Sequence, residues 1–186
     1  MLRALKTSAL LGAILIGGLL LVAATQPDTF EVRRTASIKA PPERIFPLIN
    51  DLHAFNSWNP YEKKDPNIKG TYGRIPAGKG AAYAFDGNRD VGTGRIEIVD
   101  SSPVSRVTMS VSIVEPLEVA NVVHFTLEPR GDTTYVTWAM RGDVPYVAKI
   151  FHMFCDMDDM VGRDFEAGLA SLKALVESPK VAATGR

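Results

Sequence analysis

The feature that most constrains this chain is a change of hydrophobic period at Pro145. From Ile68 to Arg141 apolar and polar residues alternate in short runs, whereas beyond Pro145 the apolar residues recur every three or four positions. Alternation predicts strands with one buried face, and the longer period predicts an amphipathic helix. The alternation is clearest in Val107-Thr108-Met109-Ser110-Val111-Ser112-Ile113, and it returns as Val123, Phe125, Leu127 and as Val136, Trp138, Met140. Turn-rich stretches, "GRIPAGKG", "DGNRD", Asp100-Ser101-Ser102-Pro103, "VEPLE" and "EPRGD", separate the runs, as in an antiparallel meander. Ile150, Phe154, Met157, Val161, Phe165, Leu169, Leu172 and Val176 then form one stripe. A helix of about thirty residues spans about 45 Å, enough to lie across a whole sheet.

Ahead of the meander, Val32, Ala36 and Ile38 alternate through a first strand between Phe30 and Lys39. "APPERIFPLIND" predicts a short helix, begun by Pro41 and Pro42, with Ile45, Phe46 and Ile49 on its apolar side and Pro47 kinking or shortening it. The stretch "HAFNSWNPYEKKDP", residues 53–66, predicts one more helical turn followed by loop. Its Phe55, Trp58 and Tyr61, three apart, aim together at the space between sheet and long helix, where they either plug or gate it.

Near the N-terminus, Arg3 and Lys6 precede an uncharged run from Thr7 to Pro27 centred on "LLGAILIGGLLLVAA". Such a run predicts a membrane-spanning helix over residues 7–27, and the flanking cations predict a domain on the extracytoplasmic, periplasmic side. Cleavage of a signal peptide after Val22-Ala23-Ala24 is the alternative, and would leave the same domain secreted. The expected organisation is an anchor or signal over 1–27, one domain over 28–178 and a flexible tail over 179–186. Lys plus Arg equals Asp plus Glu, 21 each, so the chain lacks the basic excess that nucleic acid demands. The lone Cys155 can form no disulfide within the chain.

This order is carried by "ASIKAPPERIFPLIND", by "WNPYEKKDP", by "GAAYAFDGNRDVGTGRIEIV" with the four turn residues after it, and by "DMDDMVGRDFEAGLASLKAL". It resembles the START-like, helix-grip superfamily, also called SRPBCC, and within it the polyketide cyclase/dehydrase-like group. The resemblance covers about residues 30 to 177. It implies an α+β fold in which a curved antiparallel sheet of about six to seven strands wraps around a long C-terminal helix. Two short helices are expected after the first strand and the transmembrane helix ahead of it. It also implies an apolar cavity with no obligatory cofactor, and it carries over no catalytic residue. Candidate cavity residues are Phe46, Phe55, Trp58, Tyr61, Tyr83, Phe85, Met109, Phe125, Trp138, Met140, Phe151, Phe154, Met157 and Val161. Asp86, Asn88, Arg89 and Asp90, near strand ends, are candidate polar contacts.

Other motifs carry less. "GRIPAGKG" approaches the phosphate loop G-x-x-x-x-G-K-[ST], but Gly80 stands where the hydroxyl belongs and a strand-like "AAYAFDG" follows where a helix is needed. "GTG", residues 92–94, predicts a strand bulge. His152, Asp156 and Asp159 share a helix face, which reads as solvated surface rather than a metal site. His124 falls on the polar face of its strand. G-x-S-x-G and H-E-x-x-H do not occur. Three functions follow as expectations: a membrane-tethered binder of a small apolar or amphiphilic molecule, a cyclase, dehydratase or hydrolase using the same cavity, or an envelope interaction module with a filled core. The oligomeric state does not follow from the sequence.

Overall fold

The computed structural model describes residues 2–115, 118–152 and 157–178; within it, the side chains of residues 2–11, 13, 147, 151 and 152 lie outside the description. Among the described residues, seven strands form one antiparallel sheet: β1 (Thr29–Ile38), β2 (Lys69–Tyr72), β3 (Ala82–Asp86), β4 (Thr93–Ser102), β5 (Arg106–Glu115), β6 (Val119–Arg130) and β7 (Thr133–Asp143). Their order is β1-β7-β6-β5-β4-β3-β2, so the chain meanders from β2 to β7 and β1 closes the far edge. Register aligns the apolar face across the sheet: Val32 lies opposite Met140, Met140 opposite Val123, Val123 opposite Met109, and Met109 opposite Ile98. That face wraps around α6 (Met157–Glu177), whose Val161, Phe165, Leu169, Leu172 and Val176 are buried.

Four further described helices lie between β1 and α6 along the chain, and three of them follow β1 directly where two were expected. α2 (Pro42–Asn50) opens on Pro42 and keeps Pro47 inside its nine residues. α3 (Leu52–Asn56) is capped by the Asp51 carboxylate, which accepts from the backbone of His53 at 2.8 Å and Ala54 at 3.4 Å. α4 (Pro60–Lys64) occupies part of the stretch expected to be loop. Asn59 caps it and Pro60 takes its first position, a start signal rather than a loop stiffener. After Pro145, where one long helix is expected, α5 (Tyr146–His152) and α6 are described, and residues 153–156 between them lie outside the described residues.

Arg34, on β1, ties α6 to the sheet: it donates to Asp158 at 2.9 Å and to Glu166 at 2.8 Å. Its guanidinium lies directly against Gly162, where any Cβ would collide with it. The Arg34 hydrogen bonds hold the Asp158 carboxyl below its ordinary range.

At the N-terminus, α1 (Leu2–Ala24) is a 23-residue helix whose Ile14, Leu15, Ile16, Leu20 and Leu21 are exposed. Among the described residues no helix is long and apolar enough to cross a membrane, so the expected spanning helix is not found. Beyond α1, Lys149 of α5 donates to Gln26 O at 2.9 Å and to Asp28 Oδ1 at 2.5 Å. The tail over 179–186 lies outside the described residues.

Candidate ligand cavity

Between the sheet and the first turns of α6 lies a cavity of about 600 Å³. Its walls come from consecutive strands because alternation sends every second side chain inward. β5 gives Met109, Val111 and Ile113; β6 gives Val119, Asn121 and Val123; β7 gives Trp138 and Met140. Tyr83 and Phe85 of β3, Ile96 of β4 and Phe30 of β1 extend the wall to both sides. Met157, Val161 and Phe165 of α6 cover it, and Phe55, Asn59, Tyr61 and Glu62 close it from the α3–α4 side. Ile68, Val91, Asp143, Val144, Pro145 and Ala148 complete the rim.

Nine of the candidate residues therefore stand on the cavity wall: Phe55, Tyr61, Tyr83, Phe85, Met109, Trp138, Met140, Met157 and Val161. Others are elsewhere. Trp58 and Phe125 share the inward direction but are buried beneath the cavity floor, in edge-to-face contact with each other at 6.0 Å. Trp58 also donates through Nε1 to Leu48 O at 2.8 Å, which fixes it in the core. Phe46 packs, half-buried, against that core. The Phe151 side chain and all of Phe154 lie outside the described residues, as do the His152 side chain and Asp156.

The four candidate polar contacts are absent from the wall: two are engaged at the β3–β4 turn and two face solvent. Asn88 Oδ1 accepts from the backbone of Asp90 at 2.9 Å and of Val91 at 3.2 Å. Asp86 accepts from Thr93 Oγ1 at 3.1 Å, while Arg89 and Asp90 are exposed. "GRIPAGKG" runs directly into β3 with no helix after it, so its amides make no phosphate cradle. A register shift between Thr93 and Gly94 supplies the predicted bulge. His124 is exposed, with Nδ1 3.2 Å from Thr108 Oγ1.

The polar groups that do reach the cavity come mainly from α4 and its cap, where the sequence predicts loop. Tyr83 Oη donates to Glu62 Oε1 at 2.8 Å. Burial first, then the bond to Glu62, pushes the Tyr83 phenol above its ordinary value. Tyr61 is pushed up likewise, by burial and then by the Asp164 carboxylate of α6. Asn59 is 4% exposed and is engaged by Asn56 and by the Tyr61 backbone. Trp138 stacks on Phe165 at 4.1 Å and 11°. Its indole Nε1, buried, has no hydrogen-bond partner among the described residues. Gly168 permits that stack, since a Cβ there would lie 2.7 Å from Trp138 Cζ3.

Signals for several missed wall residues were present. Val111 and Ile113 continue the alternation from Met109, Asn121 has the parity of Val123, and Phe165 lies four residues after Val161 on one helix face. Nothing in the sequence distinguished Glu62 from its solvated neighbours.

A curved antiparallel sheet gripping a C-terminal helix over an apolar cavity defines the helix-grip class, the SRPBCC superfamily. Within it, this chain belongs to the polyketide cyclase / dehydrase and lipid transport family, whose profile matches residues 29–177. Solved structures similar to it include major latex-like protein 151 of Panax ginseng, 15% identical with a TM-score of 0.57, covering 82% of this chain and 100% of that one. The Aha1 dimer of Colwellia psychrerythraea is 18% identical with a TM-score of 0.57, over 81% and 98% of the respective chains. A Chromobacterium violaceum protein is 18% identical with a TM-score of 0.56, over 83% and 100%. At these identities the likeness is one of fold. No curated protein matches the chain.

Proposed function

We propose that this protein binds one small apolar or amphiphilic molecule in its cavity, held near a membrane by its N-terminal segment. The observation that carries the reading is the apolar cavity of about 600 Å³, within the range that ligand sites occupy. Taking the ~30 Å³ share of a liquid water molecule per non-hydrogen atom, it holds about 20 such atoms. At about 0.3 kcal/mol per atom a ligand of that size gains about 6 kcal/mol, a dissociation constant in the tens of micromolar. The cavity also weighs against the interaction module with a filled core.

The two cavity phenols are poorly suited to acid–base catalysis, which supports a binding role for that part of the wall. An acid or base working near neutrality needs a pKa near neutrality, and Tyr61 and Tyr83 are both shifted away from it. For tethering, support comes from the apolar run over residues 7–27 and the exposed Ile14, Leu15, Ile16, Leu20 and Leu21. The periplasmic side follows from Arg3 and Lys6 ahead of that run.

The test is native mass spectrometry of the gently extracted full-length protein, with identification of whatever denaturation releases. A stoichiometric apolar companion is expected, and it should be lost in Val111→Trp, which fills the cavity from β5. An empty protein that takes up nothing from membrane lipids would refute the binder. Carbonate washing of membranes checks the tether: the protein should stay with the pellet.

A further inference from the structure

Resting on the cavity-binding reading, the character of the ligand can be argued from the polar groups of the wall. Most of them are already committed to one another. Tyr83 donates to Glu62, Tyr61 lies against Asp164, and Asn59 serves Asn56 and the Tyr61 backbone. Trp138 is different: it stands on the wall, 3% exposed, and its Nε1–H has no acceptor among the described residues. An indole nitrogen can only donate, so what satisfies it must bring an oxygen or nitrogen lone pair. Buried donors are rarely left unmet in folded proteins, and an acceptor supplied with the ligand accounts for this one.

Charge narrows the class further. Among the described wall residues the ionisable groups other than the phenols are Glu62 and Asp143, both acidic, with no Lys, Arg or His. Lys64, 5.2 Å from the Tyr61 ring, is paired with Asp164, and Lys149 and Arg34 are tied to Asp28 and to Asp158 and Glu166. An anionic headgroup taken into this cavity would lose its water, find no counter-charge on the described wall and face two carboxylates.

We propose that the cavity selects an uncharged amphiphile carrying a hydrogen-bond acceptor, of the ketone, ester or ether kind, which meets the Trp138 indole N–H, and that it rejects fatty-acid and phosphate anions. The arrangement is selective by two separate devices. Trp138 rewards an acceptor at depth, and the acidic wall penalises negative charge wherever it enters.

The experiment is displacement of the neutral fluorophore N-phenyl-1-naphthylamine from the full-length protein by dodecane, 2-dodecanone and dodecanoate, at neutral pH. In the wild type 2-dodecanone should compete at least tenfold better than dodecanoate. Trp138→Phe keeps an aromatic ring against Phe165 but removes the N–H and part of the ring; both competitors lose the ring contact alike, so the ketone-to-alkane ratio isolates the N–H and should shrink by about tenfold, the worth of one hydrogen bond. Glu62→Gln should instead narrow the gap between ketone and carboxylate while leaving the ketone-to-alkane ratio alone, and it remains informative if the Trp138 variant melts early. Equal competition by dodecanoate in the wild type would overturn the charge argument. An unchanged ketone-to-alkane ratio in Trp138→Phe would overturn the indole contact, water then being the partner of that N–H. If the fluorophore binds and none of the three displaces it, or if it does not bind, the cavity reading itself fails and the selectivity with it.

Discussion

The two ends of the sheet–helix sandwich share the same strands and yet differ in what fills them. At one end Ile45, Ile49 and Leu52 of α2 and α3 share a buried cluster with Ile98, Val107, Leu127 and Val136, and the last turns of α6 add Leu169, Leu172 and Val176. That end is solid. At the other end the same strands carry Met109, Val111, Ile113, Val123 and Met140, and the start of α6, Ala148 of α5 and the α3–α4 residues line the space without filling it. Between the two lies an aromatic layer, with Phe55, Trp138 and Phe165 on the cavity and Trp58 and Phe125 beneath them, in which ring centroids lie 4.1 to 6.2 Å apart. Burial alone therefore does not tell filler from wall; what matters is whether a second layer of side chains meets the residue from across the sandwich.

The largest effect should come from breaking this aromatic layer. Trp58→Ala removes a fully buried ring and the bond to Leu48 O, and should cost about 3–5 kcal/mol, read as a large fall in the urea midpoint. Met140→Ala on the cavity wall deletes a half-buried side chain with empty space before it, and should cost about 1–2 kcal/mol, below the usual range for a filled core. Equal losses at the two positions would mean that the open end is packed after all.

Enlarging side chains turns the comparison round, with smaller effects. Val136→Phe, at a site with no exposure in the solid end, should cost about 1–3 kcal/mol through overpacking. Val111→Phe, facing the cavity, should change stability by less than about 1 kcal/mol while weakening ligand retention. Thermal melting of both variants, beside native mass spectrometry of the second, checks this. A Val111→Phe protein as damaged as Val136→Phe would count against the cavity.

The strands, their inward faces and the meander were legible in the sequence because they follow from period and turn residues. Alternation fixes which side chains point inward, and the change of period at Pro145 announces a covering helix. It could not separate Trp58 and Phe125 from Tyr83 and Met140, since all four point inward and differ only in what lies opposite. That depends on where α2 and α3 come to rest, a long-range matter. The polar contacts were misplaced for a local reason: Asn88 satisfies its own turn, as Asn does in many turns, whereas Glu62 reaches the wall only because Asn59 and Pro60 start a helix there.

The smallest expected effect sharpens the polar side of the comparison. Tyr61 and Tyr83 belong to the open end, and both phenols sit above the ordinary value of 10.0 in the folded protein, chiefly through burial and then through Asp164 and Glu62. Above about pH 10 the unfolded chain releases those protons while the folded one keeps them, so the unfolded state binds fewer protons and stability falls as pH rises. Below about pH 10 both states are protonated and the contribution is intact. Urea unfolding followed from about pH 8 to about pH 11 should therefore show a decline that begins near pH 10 in the wild type and is shallower in the Tyr61→Phe/Tyr83→Phe double variant. The acid limb should be little altered by the same pair of substitutions. Parallel alkaline slopes in the two proteins would mean that the phenols reach water freely, and with that the wall they help to build would be more open than its geometry.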